Sequence, residues 1–476
     1  MQVKDVPLCV DLDGTLTYTD TLFESVVCAM KTNLIVLLFL PFWVLRGRTY
    51  LKNRLGDYAV PNVELLPYNE AVIDFVRREK EKGRTIVLAT ATISKIADAV
   101  EKHLKLFDAV YSSSRTLNLL STNKQSLLVK EFGPKGYDYL GDSSNDLAVW
   151  SSARRAIVVS SNEKFIEKAK QANPDVTVLP SVRKGVRPLV KQMRIYQWVK
   201  NLLLFLPILL AHRWDYFDGF VSVGLAFLSF GLSASFVYIV NDLVDLDSDR
   251  SHPNKRRRPL ASGAFSIKRA FAVLPVLPLL SFALAFAYLP LEFVYVLITY
   301  LVITFLYSFK LKRIFIVDVI ILSLLYTIRI LAGSLACGVP VSSWMLEFSV
   351  FLFTSLAFVK RYTELRAAAS LGGKSAKGRG YSTSDIEMIR SVGPISGYLA
   401  VLVFAFYLNS PEVARLYANT LTLWPITLCL LFWITRIWFK AHRGEMTDDP
   451  IVFTIKDPAS YAVFLIIIAL LIGAVI

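Results

Sequence analysis

The amino-acid sequence predicts two parts of different class. Residues 1–180 read as a Rossmann-like α/β domain with a cap insert, and residues 199–476 as an all-α polytopic membrane domain of about nine transmembrane helices. Three observations carry that expectation. Before residue 180, short apolar runs alternate with amphipathic stretches, the pattern of a parallel sheet covered by helices. Beyond residue 198 most apolar runs lengthen toward the ~20 residues that cross a bilayer as helix. The composition, 54% hydrophobic with a mean hydropathy of +0.48, is too apolar for an ordinary soluble enzyme. The net charge is +15, but the cations gather beside apolar runs and follow topology, so no nucleic-acid partner is expected. Four scattered cysteines suggest neither a metal site nor a disulfide framework. Met1 to Pro7 lacks a charged region followed by an apolar core, so no cleavable signal peptide is expected.

In chain order, Val6–Val10 is a strand that runs into Asp11-Leu12-Asp13-Gly14-Thr15. Thr85–Ala89 is a second strand ending at Thr90, and Tyr137–Leu140 a third ending in Gly141-Asp142-Ser143-Ser144-Asn145-Asp146. Ala156–Val159 and Val176–Leu179 complete five, with helices expected at 69–82, 94–104 and 124–132. Polar residues collect just after the strands, where open α/β sheets hold ligands. An insert at 17–67 contains the twelve apolar residues Leu34–Leu45, followed by Arg46 and Arg48. That run is too short to span a bilayer and reads either as a cap core or, preferably, as a segment dipping into the membrane interface.

Residues 181–198 form a basic interfacial linker carrying Arg183, Lys184, Arg187, Lys191 and Arg194. Nine spans are expected, at 199–212, 217–240, 270–289, 291–309, 314–337, 343–361, 391–408, 418–438 and 459–476. The positive-inside rule places the amino terminus and the Lys/Arg-rich loops in the cytoplasm, in an inner (cytoplasmic) membrane. The second span ends in Asn241-Asp242-Leu243-Val244-Asp245-Leu246-Asp247-Ser248-Asp249. On a helix, Asp242, Asp245 and Asp249 fall within roughly 60° of one another, with Asp247 on the other side. Carboxylates at a membrane helix end are costly unless cations neutralise them, and Mg²⁺ suits a few carboxylates plus phosphate oxygens. His252-Pro253-Asn254-Lys255-Arg256-Arg257-Arg258 follows at once, so the stretch describes a diphosphate site.

The ordered set Asp-x-Asp-Gly-Thr, Thr90, Lys124 and Gly-Asp-x-x-x-Asp resembles the haloacid dehalogenase-type phosphatases over residues 5–180. The resemblance implies that Asp11 is a nucleophile forming an aspartyl-phosphate and that Asp13 is general acid, then base. It further implies that Thr90 and Lys124 hold phosphoryl oxygens and that Asp11, Asp13 and Asp142 serve Mg²⁺.

The Asn-Asp-x-x-Asp-x-x-x-Asp of the second span resembles the UbiA-type intramembrane transferases over residues 194–476. Members with an aromatic acceptor commonly carry a second acidic motif after the sixth span. Here that segment is Lys360-Arg361-Tyr362-Thr363-Glu364-Leu365-Arg366, with Lys374, Lys377 and Arg379 beyond. Together with Gln197–Asn201, Lys255–Gly263, Tyr307–Lys312, Asp318-Val319 and Arg329–Gly333, it is similar to the polyprenyl-phosphate phosphoribosyltransferases. That resemblance implies phosphoribosyl pyrophosphate as donor and a polyprenyl phosphate lipid as acceptor. Asp242, Asp245 and Asp249 would carry Mg²⁺, and Asn241, Lys255, Arg256 and Arg258 would bind the donor. Lys200, Lys312, Arg329, Lys360 and Arg361 would hold the phosphate ends, with Asp318, Tyr362 and Glu364 in the same substrate-binding set.

The expected protein is thus a bifunctional, Mg²⁺-dependent membrane enzyme whose amino-terminal domain removes the 5-phosphate left on the lipid-linked ribose, in cell-envelope biosynthesis. The alternative is an aromatic prenyltransferase of quinone biosynthesis with a phosphatase-like regulatory domain. Association with further copies of itself is left open.

Overall fold

The computed structural model describes residues 6–33, 35–181, 185–213, 215–370, 372–373, 379–446, 449–454 and 456–475. Arg183, Lys184, Lys374 and Lys377, and Leu34 of the apolar insert, lie outside the described residues. The chain forms two compact units, Met1–Met193 with Tyr238–Pro275, and Arg194–Val237 with Val276–Ile476. The segment carrying the acidic motif of the second span packs with the amino-terminal unit.

The first unit is built on six parallel strands: β1 (Leu8–Val10), β2 (Ile86–Ile93), β3 (Ala109–Ser113), β4 (Asp138–Gly141), β5 (Ala156–Val159) and β6 (Val176–Leu179). Their order is β3-β2-β1-β4-β5-β6, so the winding reverses between β1 and β4. In register, Val10 faces Leu88 on one side and Leu140 on the other. The central strands are buried on both faces, as their unbroken apolar runs require. Helices α1 (Thr21–Thr32), α2 (Val36–Leu45) and α3 (Arg48–Tyr58) form the insert, and α4 (Glu70–Glu81), α5 (Ser94–Leu104), α6 (Thr122–Phe132), α7 (Leu147–Ser152), α8 (Glu163–Ala172) and α9 (Val186–Gln192) follow. Two strand expectations needed correction. β2 continues past Thr90 to Ile93, and β3 was not expected, being an edge strand that is mostly half-buried and ends in two serines.

In the insert, Val36 and Trp43 turn inward against Leu51 and Leu55, which gives α2 a small core to rest on. The opposite side of α2 is bare: Leu38, Phe42 and Leu45 are 72%, 66% and 85% exposed, beside exposed Ile35, Phe39 and Val44.

Seven helices among the described residues are long and apolar enough to cross a membrane: Phe217–Val244, Ile267–Tyr288, Leu291–Phe309, Val317–Cys337, Ser343–Ser370, Thr383–Leu408 and Thr420–Arg443. The first and last of the nine expected spans are the shorter apolar helices Ile195–Leu210 and Pro458–Ala474. The former begins as a 3₁₀ segment, Ile195–Phe205, tighter than the α-helix that apolarity alone suggests. In the second unit, Trp198 donates its indole N–H to Ser235 Oγ at 3.0 Å, fixing this segment to the helix Phe217–Val244.

Candidate active sites

Three of the four signature motifs of the α/β domain lie toward the carboxyl ends of neighbouring strands, around the point where the sheet reverses its winding. Asp11 directly follows β1, Thr90 lies near the end of β2, and Asp142 directly follows β4. Lys124, on α6, reaches in from the side. Its ammonium donates to Asp11 Oδ1 at 2.9 Å and to Tyr139 Oη at 2.7 Å, and it is buried. Thr90 is fully buried, with its hydroxyl accepting from Thr92 N–H at 3.1 Å.

Asp11, Asp142 and Asp146 each offer a carboxylate oxygen within 4.8 Å of the others, close enough to share one cation. Hard oxygen donors in that number suit Mg²⁺, and a bound Mg²⁺ would supply positive charge to a phosphoryl group. Asp146 belongs to this group although no metal role was expected for it. Its carboxylate also fixes the loop, accepting from Ser143 N–H and Oγ at 2.9 Å and from Tyr139 Oη at 2.9 Å. Gly14, at φ +79°, has to be glycine: a Cβ there would lie 2.5 Å from Asp142 Oδ2. The side chain of Asp13 stands outside the three-carboxylate group. It accepts from Thr21 N–H at 2.8 Å and Thr21 Oγ1 at 3.2 Å, at the start of α1.

Electrostatics separate the two aspartates of the motif. Burial, reinforced by the charge of Asp20, pushes the Asp13 carboxyl well above the usual carboxylate range. Burial raises Asp11 too, but the Lys124 ammonium opposes it. Burial also works against the charge of Lys124, yet Asp11 and Asp146 outweigh it and keep the ammonium protonated. Both carboxyls of the motif are thus raised, Asp13 further than Asp11.

The second acidic set, in the same unit, is assembled differently. The helix Phe217–Val244 ends just before Asp245, and the short helix Leu246–Ser251 follows, so the motif spans a break instead of one straight helix. Arg258 Nη1 lies 3.1 Å from Asp242 Oδ1 and 2.6 Å from Asp249 Oδ2, bringing the two carboxylates onto one cationic nitrogen. Both are buried, and burial raises the Asp249 carboxyl against the pull of Arg258. Arg258, expected on the donor, is here the counter-ion of the acids. Gln192 was not foreseen: it donates to Asp242 Oδ2 at 2.7 Å and accepts from Leu260 N–H at 3.2 Å, closing the loop at both ends. Asp245 is half-buried, and Lys255 and Arg256 are exposed on a 3₁₀ turn. Asp247 pairs with Lys31 at 2.8 Å. Carboxylates that already converge on one positive nitrogen fit a divalent cation. Among the described residues the strand-end set, not this one, is the group of three carboxylates whose ligand atoms all lie within 4.8 Å of one another.

The cations expected to hold phosphate lie in the second unit, and most are engaged. Arg361 is buried, with Nε 2.7 Å from Asp318 Oδ2 and Nη1 on Glu364. Tyr381 Oη donates to Asp318 at 2.6 Å, and Arg379 donates to Tyr307 Oη at 2.9 Å. Arg329 donates to Asn201 Oδ1 at 2.9 Å and Tyr300 Oη at 3.0 Å, a packing role as much as a binding one. Lys200 pairs with Asp449 at 2.6 Å, and Tyr362 Oη meets His442 Nδ1 at 3.0 Å. Burial pushes Asp449 up, but Lys200 and Lys360 outweigh it and hold the carboxyl below its usual range. Lys312 sits on the 3₁₀ turn Leu311–Arg313, and Lys360 is half-buried next to Arg361.

Comparison with known proteins bears on both halves. The profile of the UbiA prenyltransferase family matches residues 202–454. The chain is 37% identical over 462 residues to uncharacterized protein y4nM of Sinorhizobium fredii, covering 96% of this chain and 89% of that one. It is 34% identical over 267 residues to nodulation protein NoeC of Azorhizobium caulinodans, covering 56% and 86%. Against decaprenyl-phosphate phosphoribosyltransferase of Mycobacterium tuberculosis, identity is 32% over 276 residues, covering 57% and 89%. A UbiA homolog from Archaeoglobus fulgidus, solved bound to DMAPP and Mg²⁺, aligns over 59% of this chain and 98% of its own at 18% identity, with a TM-score of 0.44.

Proposed function

Because this chain belongs to the UbiA prenyltransferase family, a multi-pass membrane family of transferases, we propose that it transfers a phosphoribosyl group from phosphoribosyl pyrophosphate to a polyprenyl phosphate. Relatives that carry the name decaprenyl-phosphate phosphoribosyltransferase, at 32% identity, support that donor and acceptor. The observation that carries the reading is the pair Asp242 and Asp249 converging on one guanidinium nitrogen beside Lys255 and Arg256. Asp242, Asp245 and Asp249 would hold Mg²⁺, which when bound supplies charge to a leaving diphosphate. Lys255, Arg256 and Asn241 then bind the donor, with Arg258 as the counter-ion of the acids. The acceptor phosphate is already an anionic nucleophile, so no strong base is required. Lys200, Lys312, Lys360 and Arg361 supply the positive field for it.

Glu364 separates this reading from aromatic prenylation. Of the carboxylates in Lys360–Arg366 it stands alone, and Arg361 and Arg379 already claim it. A second acidic metal site is therefore disfavoured there.

The amino-terminal domain acts in this proposal as a phosphatase of the haloacid dehalogenase type. Asp11 attacks phosphorus, and Asp13, protonated at rest, gives its proton to the leaving ribose oxygen and then activates water. Thr90 and Lys124 hold the phosphoryl oxygens. Its substrate is the 5-phosphate of the lipid-linked ribose, and the exposed apolar face of α2, flanked by Arg46 and Arg48, rests in the lipid surface where that substrate lies. The domain and the acid-rich loops then face the cytoplasm.

The test is purified protein given labelled phosphoribosyl pyrophosphate and a polyprenyl phosphate with Mg²⁺. Label in a lipid product, followed by phosphate release that Asp11→Asn abolishes, is expected. Labelling instead of an aromatic acid by a prenyl diphosphate would replace this function with the alternative.

A further inference from the structure

The loop that carries the second acidic set is clamped to the phosphatase-like domain, and the clamp is charged and buried. Arg250 follows Asp249 directly. Its guanidinium makes a bidentate pair with Glu24 of α1, Nη2 to Oε1 at 2.6 Å and Nη1 to Oε2 at 3.0 Å. Glu24 is 3% exposed and Arg250 9%, and Arg250 Nε also donates to Ala261 O at 3.3 Å, bracing the far end of the loop. Two further contacts fix the same docking. Gly263, at φ +75°, comes so close that a Cβ would lie 2.5 Å from Tyr18 Cβ, just after the first phosphatase motif. The Phe23 and Phe271 rings lie 6.1 Å apart.

We propose that Glu24, in the amino-terminal domain, is a positioning residue for the diphosphate site: through Arg250 it sets the place of Asp249, and hence the Asp242–Arg258–Asp249 cluster. The proposal rests on the reading of that cluster as a Mg²⁺-diphosphate site. A bidentate arginine–carboxylate pair fixes both distance and plane, so it orients the helix Leu246–Ser251 far more tightly than apolar packing would. Removing one partner leaves the other charge buried and unpaired, which forces the loop to move. Three residues before Glu24 on α1, Thr21 holds Asp13, so a single helix carries one contact to each acidic site. The amino-terminal domain then does more than process a product; it completes the geometry of the site that makes it.

The experiment measures binding of inorganic pyrophosphate, at saturating Mg²⁺, to the full-length protein by calorimetry, with thermal unfolding recorded in parallel. Wild type is compared with Asp242→Asn, Glu24→Gln and the double exchange Glu24→Arg/Arg250→Glu. Glu24→Gln is expected to raise the Kd about tenfold or more, the exchange to regain most of it, and Asp242→Asn to abolish binding. Wild-type affinity in Glu24→Gln alongside loss in Asp242→Asn overturns the positioning role alone. So does loss of binding that merely tracks a collapsed melting transition and is not regained in the exchange. Absence of binding by wild type removes the diphosphate reading and this inference with it.

Discussion

The two acidic sites of the first unit use the same chemistry, carboxylates gathered beside a cation, but different carpentry. At the strand ends, Asp11 and Asp142 follow adjacent parallel strands whose ladder fixes their separation, and Asp146 is held by Ser143 and Tyr139. At the end of the second span, Asp242 and Asp249 lie on either side of a helix break and are joined by side chains, Arg258 between them and Gln192 behind. The first arrangement is preorganised by backbone, so the separation of its carboxylates is fixed before any ligand arrives. The second depends on long side chains and on a loop held from elsewhere. A site of that kind is sensitive to substitutions that touch no ligand.

The sharpest way to break the comparison is Asp11→Asn. If the strand-end site is a nucleophilic phosphatase, phosphate release falls roughly 10³-fold or more while lipid labelling by phosphoribosyl pyrophosphate continues. Retained release would leave Asp11 a structural partner of Lys124. Next in size is Asp242→Asn, expected to lower lipid labelling by about 10²-fold and to leave hydrolysis of p-nitrophenyl phosphate at the wild-type rate. Equal loss of both reactions would show that the two sites are not separable.

How much of this was legible beforehand divides along the same line. At the strand-end site three of the four motifs sit on or next to their own strands, so local pattern and three-dimensional position coincide, while Lys124 comes in from α6. Seven of nine spans were readable from apolar length alone. Contacts made across the chain carried no local mark. Nothing near residue 24 announces a partner at residue 250, and Gln192 sits in a basic linker where a neutral amide draws no notice. β3 escaped because an edge strand needs little apolar sequence, and the 3₁₀ turn at 195–205 because apolar runs do not report helical pitch. Apolarity did mark α2, but not its use: only the structure separates inward Val36 and Trp43 from outward Leu38, Phe42 and Leu45.

That outward face gives a smaller, more selective test. Leu38→Glu, Phe42→Glu and Leu45→Glu together remove apolar surface and add charge where the lipid surface is expected. Dephosphorylation of a lipid phosphate in vesicles should drop about tenfold, with p-nitrophenyl phosphate hydrolysis unchanged. Parallel losses would make α2 part of the cap's own core. The smallest effect belongs to Lys31→Ala. Lys31 and Asp247 meet at 2.8 Å and join α1 to the same short helix as Glu24 and Arg250, but their side chains are 22% and 46% exposed. Water and salt screen such a pair, which is worth about 0–1 kcal/mol, so Mg²⁺-pyrophosphate affinity should change by less than about fivefold. The buried pair about two turns earlier on α1 should cost more. If instead Lys31→Ala matched Glu24→Gln, burial would not be what gives the clamp its strength, and the net charge facing the loop would be the quantity to vary.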